Sequence, residues 1–155
     1  MIRMDGRRRR LATIALAAVL AGGLAGGPRA ETATPAGIWR TFDDKTGQER
    51  GLIRIREQEG QFVGTIVGTT DPAEGKRTCE KCEGDRKDMP IIGLSVLTGL
   101  HQDGDVWDGG RILEPETGSI YSCSMRLAEG GRKLIVRGYL GISLFGRTQT
   151  WLRTP

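Results

Sequence analysis

The chain is short of the residues on which most catalytic sites depend. It has 155 residues, with a single histidine, His101, and three cysteines. A nucleophile–histidine–carboxylate triad would have to use His101, which stands beside a Gly-Asp turn where side chains are usually exposed. No glycine-rich phosphate loop precedes a helix, because helical periodicity is almost absent. We therefore expect no enzyme activity and no cofactor.

Excess positive charge is also absent from most of the chain. The whole chain has 23 basic and 19 acidic side chains, a net charge of +4. Residues 1–30 hold six arginines and one aspartate, so residues 31–155 hold 17 basic and 18 acidic side chains, a net of −1. The basic balance belongs to the first segment and gives no reason to expect a nucleic-acid partner.

The first segment has a basic head followed by an uncharged apolar run, which is typical of a bacterial export signal. The run is short and glycine-rich, whereas a bilayer-spanning helix needs about 20 apolar residues. The sequence therefore predicts an export signal peptide at residues 1–30, no stable membrane anchor, and one domain at residues 31–155. The expected location is periplasmic or secreted. General and twin-arginine export both remain open.

Short strand patterns and glycine-containing connections fill the remainder. Eight consecutive strands with short hairpins predict an all-β fold, an eight-stranded up-and-down antiparallel β-barrel, because closure removes unpaired edges. A two-sheet sandwich fits the same pattern and stays open. The predicted strands cover residues 37–42, 50–57, 61–69, 94–101, 106–113, 119–127, 133–140 and 145–153.

The two ends of the predicted barrel carry a matched pair of side chains. Gly37 and Trp39 lie in the first strand, and Arg153 lies in the last. These strands are neighbours in a closed barrel, so Arg153 is expected to stack on Trp39. A Gly-x-Trp at the start with a late arginine is similar to the lipocalin signature.

Further motifs occur in a fixed order along the chain. They are Gly37-x-Trp39, Cys79-x-x-Cys82-x-Gly84, Pro90-Ile-Ile-Gly93, Trp107-Asp-Gly-Gly110, Pro115-x-x-Gly118-x-x-Tyr121-x-Cys123, Arg137-Gly-Tyr-Leu-Gly141 and Gly146-Arg-Thr-Gln-Thr-Trp151-x-Arg153. The set resembles a bacterial family of small exported proteins known as a domain of unknown function (number 2147), from about residue 36 onward. The resemblance implies a lipocalin-like barrel outside the cytoplasm and no established activity. The family often has aspartate before the proline, where this chain has Glu114. We therefore do not assign the role of the family's aspartate to Glu114.

The Cys79-x-x-Cys82 loop admits three interpretations. A closed zinc site needs four ligands, which the three cysteines and His101 supply only in number. A thiol-redox centre needs a helix N-terminus or a net positive surrounding, and nearby acidic residues offset the basic ones. We expect a structural disulfide that holds a long connection over one mouth of the barrel. The favoured pair is Cys79–Cys82, with no metal bound, although a bridge to Cys123 remains possible. An envelope thiol-redox or metal-handling protein stays open as an alternative function.

Polar and aromatic side chains share faces in the last two strands. Arg147, Gln149 and Trp151 lie on one face, and Arg137 and Tyr139 on another. Inward-facing arginines would need partners, either Asp108 and Glu114 or the carboxylate or phosphate of a ligand. A one-residue change of register would turn these faces outward. We predict a small amphipathic or acidic ligand bound by Trp107, Tyr121, Arg137, Tyr139, Arg147, Gln149 and Trp151. A solid-core structural or interaction module is the second alternative.

Overall fold

The computed structural model describes residues 33–142 and 146–155 as a closed barrel of eight antiparallel strands. The predicted export signal and Phe145, the predicted first residue of the last strand, lie outside the described residues. The strands are β1 (Gly37–Phe42), β2 (Glu49–Gln58), β3 (Gln61–Thr69), β4 (Ser95–Asp103), β5 (Val106–Glu114), β6 (Ser119–Ala128), β7 (Lys133–Tyr139) and β8 (Gly146–Arg153).

Every strand pairs with its neighbours in sequence, and β1 pairs with β8. In that last pairing Trp39 lies opposite Arg153 and Arg40 lies opposite Leu152. The closed up-and-down order confirms the predicted barrel and excludes the sandwich. Strand alternation and turn chemistry predicted the strands, because each strand has one face in the core, and the β1–β8 pairing decides between barrel and sandwich.

The connections divide between the two ends of the barrel. The end that carries the β2–β3, β4–β5 and β6–β7 hairpins is called here the closed end. The opposite end, called the open end, carries the connections after β1, β3, β5 and β7. The β3–β4 connection is the longest and contains a short helix that the sequence did not predict, α1 (Pro72–Gly75). Asp71 caps α1 by accepting a hydrogen bond from the Ala73 backbone N–H at 2.8 Å.

The core fills the closed end. Leu100, Met125 and Leu134 are buried there, and Trp107 packs edge-on against Phe62 with ring centroids 5.9 Å apart. These side chains alternate with exposed ones along their strands, as expected for a barrel with one apolar face. In residues 33–142 and 146–155, no helix is both long and apolar enough to cross a bilayer.

Arg153 joins the first and last strands at the closed end. Its guanidinium lies 4.2 Å from the ring centroid of Trp39, whose side chain is fully buried. The same group donates hydrogen bonds of 2.7 Å to the carbonyls of Gly131, Ala36 and Thr34. Desolvation lowers the pKa of Arg153 from its ordinary value. The predicted stacking of Trp39 and Arg153 is therefore present.

Candidate functional site

A cavity of about 480 Å³ occupies the open half of the barrel. This volume lies within the range of pockets that hold one small molecule. Strand ends and connections of the open end both contribute to it. Its aliphatic and aromatic wall is formed by Ile53, Ile66, Val96, Ile112, Leu113, Val136 and Trp151.

The inner face of β8 carries Arg147, Gln149 and Trp151 along this cavity, in the inward register considered from the sequence. Trp151 is buried, and its indole N–H donates to Gln149 Oε1 at 3.0 Å. The Gln149 amide in turn donates to Asp44 Oδ2 at 3.1 Å. Both polar ends of the Gln149 amide are therefore occupied by groups of the protein.

Arg147 lies at the mouth of the cavity with its side chain 57% exposed. Its Nε is paired with Asp44 Oδ2, and its Nη1 lies 3.7 Å from Glu114 Oε1. Glu114 was one of the partners proposed from the sequence, and Asp44 was not. The positive charge of Arg147 is thus already neutralised by carboxylates of the chain.

A second group of ion pairs lies at the same mouth and was not anticipated. Arg50, at the start of β2, is paired with Glu116 of the β5–β6 hairpin, and Glu74 of α1 lies 3.7 Å away. Glu74 also pairs with Arg77 at 3.0 Å. Strand pattern could not reveal this group, because its members come from one strand and two separate connections.

Of the two predicted ligand residues in β7, Tyr139 lines the cavity and Arg137 does not. Val136 and Gly138 take the inner face of β7, so alternation turns Arg137 to the outer face. Arg137 Nη1 donates to Thr148 Oγ1 at 2.8 Å, and Arg137 does not line the cavity. Tyr139 is the last residue of β7, and its hydroxyl donates to Asp108 Oδ1 at 3.4 Å. Burial, followed by the charge of Asp108, raises the pKa of Tyr139.

Trp107 and Tyr121 were both predicted to line the ligand cavity. Tyr121 does so, and Trp107 does not. Trp107 is the second residue of β5, at the closed end, and does not line the cavity. Its indole N–H is buried with no hydrogen-bond partner among the described residues. Tyr121 lies near the start of β6 on the face shared with buried Cys123, and it does line the cavity. Position along the strand, which alternation does not report, separates these two aromatics.

Cys79 and Cys82 form the predicted disulfide within the β3–β4 connection. The bridge is buried, and Cys79 Sγ lies 3.5 Å from the Pro115 carbonyl oxygen in the β5–β6 hairpin. A Cβ added at Gly118 of that hairpin would come within 1.9 Å of the Lys81 carbonyl oxygen. The disulfide loop therefore packs backbone-to-backbone on the hairpin, at the open end of the barrel.

Cys123 remains a free, fully buried thiol on the inner face of β6. Desolvation, with a smaller contribution from Asp108, raises the pKa of Cys123 to about 12. Among the described residues no group of three or more histidine, cysteine, aspartate or glutamate side chains is arranged to hold a metal. The sulfurs of Cys79 and Cys82 are bonded to each other, so the four-ligand set considered from the sequence does not form.

A thiol titration should reflect this arrangement. We expect the native protein near neutral pH to react with a thiol reagent at no position, because the Cys123 thiol is buried and uncharged. Unfolding in denaturant should expose one thiol per chain, and unfolding with reductant should expose three. Two or three reactive thiols without reductant would contradict the Cys79–Cys82 bridge.

Large apolar side chains are exposed around the open end. Leu140 and Ile142, which follow β7, are 64% and 59% exposed. Met89 and Ile92 of the β3–β4 connection and Ile120 at the start of β6 are each more than a third exposed. All five belong to the end of the barrel at which the cavity opens. Clusters of exposed apolar residues are uncommon on monomers except at interaction or binding sites.

The comparisons with known proteins agree with this architecture. Residues 37–153 match the family described as "Uncharacterized protein conserved in bacteria (DUF2147)". A solved structure, protein HP1028 from Helicobacter pylori, described as belonging to the lipocalin family, superposes with a TM-score of 0.70 at 18% sequence identity. The match covers 80% of this chain and 85% of that protein, and at this identity it shows a shared lipocalin-like fold. No curated protein matches the chain. Because the family match spans nearly the whole barrel, the chain belongs to the DUF2147 family.

Proposed function

We propose that this protein is a non-enzymatic, exported binding protein that holds one small amphipathic molecule in the open half of its barrel. The observation that carries the proposal is the cavity of about 480 Å³ with an apolar wall. A barrel of eight strands can be filled completely by its side chains or can hold one small ligand. Here the closed end is filled and the open end is not.

The lining of the cavity supports an amphipathic occupant. Aliphatic side chains such as Ile66 and Ile112 form the inner wall, and charged side chains such as Arg147 and Glu116 surround the mouth. Transfer of apolar surface from water to such a wall contributes about 25 cal/mol per Å². A molecule with an apolar body and a polar end would match both regions at once.

Two features support a location outside the cytoplasm. The disulfide between Cys79 and Cys82 belongs to a class of bond that persists in oxidising compartments and is rare in the cytosol. Residues 1–30 have the basic head and apolar run of an export signal. Burial of the disulfide also argues against the thiol-redox alternative, because exchange requires access to the sulfurs.

The proposal is tested by recovering the protein from a periplasmic osmotic-shock fraction and examining it by native mass spectrometry for a retained molecule. Delipidated protein is then titrated with N-phenyl-1-naphthylamine, an uncharged fluorescent probe of apolar pockets. We expect saturable binding with one site per chain. Ile66→Trp should weaken that binding by about tenfold or more, because the larger ring occupies the cavity.

Ile135→Trp provides the matched control. Ile135 is partly exposed on the outer face of β7, between the buried Leu134 and Val136. The same substitution there should leave probe affinity within about twofold of the wild type. Circular dichroism of both variants checks that the barrel is intact. Equal binding by wild type and Ile66→Trp, or no binding by the wild type, would overturn the proposal and favour a structural or interaction module.

A further inference from the structure

The charges at the cavity mouth restrict the chemistry of the bound molecule. Three arginines border the mouth, namely Arg50, Arg77 and Arg147. Each has carboxylates of the protein beside it, and the four that pair with them are Asp44, Glu74, Glu114 and Glu116. The charged residues of the lining are therefore balanced, with three arginines against Glu74, Glu114 and Glu116, and Asp44 pairs with Arg147 from outside the lining.

An anionic head group would find each of these three arginines already beside a carboxylate of the protein. To reach Arg147 it would have to displace Asp44 or Glu114, and the displaced carboxylate would remain close by without its cation. Exposed ion pairs of this kind are individually weak, so displacement is feasible, yet the like charges left together oppose it. The guanidinium groups are thus poor anchors for a carboxylate or phosphate.

Tyr121 also lines the cavity, and its hydroxyl differs from the polar groups described above. The Gln149 amide is occupied at both ends by Trp151 and Asp44. The Tyr121 hydroxyl makes no hydrogen bond to any residue in 33–142 or 146–155, and its side chain lies on the inner face of β6 along the cavity. A phenolic hydroxyl both donates and accepts, so it suits an alcohol, ester or amide group.

We propose that the cavity takes an uncharged amphiphile, with a single apolar chain and a neutral hydroxyl, ester or amide end, in preference to the corresponding anion. In this arrangement Tyr121 hydrogen-bonds the neutral end and the paired carboxylates at the mouth exclude the anion. The inference rests on the proposed function, since it assigns the polarity of the molecule held in the same cavity. It replaces the acidic ligand expected from the arginines in the sequence.

The test compares three probes with the same twelve-carbon chain at neutral pH: dodecanol, dodecanoate and dodecane. Each displaces N-phenyl-1-naphthylamine from delipidated protein. We expect dodecanol to bind about tenfold more tightly than dodecanoate, because the anion would have to compete with Asp44 and Glu114 for Arg147. Tyr121→Phe should weaken dodecanol by about fivefold, the usual effect of one neutral hydrogen bond, and leave dodecane unchanged.

Charge variants separate this explanation from a merely tighter apolar fit. Glu114→Gln should strengthen dodecanoate binding by about threefold or more while dodecanol changes by less than twofold. Tighter binding of dodecanoate than of dodecanol to the wild type would overturn the inference and leave the binding function standing. Displacement by none of the three probes would remove the proposed function and this inference together. An unchanged dodecanol affinity in Tyr121→Phe would overturn the assigned hydrogen bond.

Discussion

Gly118→Ala should cost about 3–5 kcal/mol of unfolding free energy, an unusually large effect for one added methyl group. Gly118 has φ +73°, a left-handed conformation that an alanine adopts only with strain. The new Cβ would also lie 1.9 Å from the Lys81 carbonyl oxygen and 2.6 Å from its carbon. Both contacts are with backbone, so no side chain can rotate away. The disulfide loop must separate from the β5–β6 hairpin.

Gly104→Ala is the matched control for that experiment. Gly104 occupies the β4–β5 hairpin at φ +59°, and nothing lies within 4 Å of a Cβ built there. Gly104→Ala should lower the free energy of unfolding by only about 1–2 kcal/mol, the cost of holding an alanine in the left-handed conformation. Urea denaturation measures both variants, and limited proteolysis follows the release of residues 76–90. Equal losses in the two variants would mean that the loop does not pack on the hairpin as described.

Arg153→Ala should destabilise the barrel by about 3–5 kcal/mol, the second large effect expected. The substitution removes the guanidinium that stacks on buried Trp39 and leaves three carbonyls without their donor. Those carbonyls belong to the segment before β1 and to the turn before β7. One side chain therefore holds both ends of the sheet together, and its loss should open the β1–β8 pairing.

Two variants separate this role from a general effect of charge. Arg153→Lys keeps the positive charge but lacks the planar fork that reaches several carbonyls, so it should retain less than half of the stability lost in Arg153→Ala. Arg126→Ala removes an exposed arginine from β6 and should change stability by no more than about 0.5 kcal/mol. Amide hydrogen exchange in β1 reports on closure, and unchanged protection of β1 in Arg153→Ala would contradict the assignment.

The strands were predictable because their signals are local. Alternation in β2, where Ile53 and Ile55 are buried between partly exposed arginines, gives each face directly. Glycine-containing turns mark where strands end, and the predicted bounds differ from the observed ones by two residues or fewer, as at β4 and β7. The helix α1 and the 3₁₀ turns at Gly84–Arg86 and Glu129–Gly131 were missed, since three or four residues are too few to show a helical period.

The cavity was predictable in outline, but the prediction of its lining was wrong at particular residues. β8 was read in the correct register, so Arg147, Gln149 and Trp151 line the cavity. β7 was read one residue out of phase, which exchanges the two faces and removes Arg137 from the lining. Trp107 faces inward as expected but lies at the closed end. Alternation reports the face of a strand and carries no information on depth along the barrel.

The sequence by itself determined the approximate bounds of the strands, because these follow from residue spacing. It favoured the closed barrel over a sandwich and the Cys79–Cys82 bridge over one to Cys123, and the structure confirms both. Only the tertiary structure decided which end is filled, which arginines are already paired and where Tyr121 meets open space. Those features depend on residues far apart in the chain, such as the group of Arg50, Glu74 and Glu116. Pairing between side chains in different loops has no sequence period, and it becomes visible only once the barrel brings those loops to one mouth.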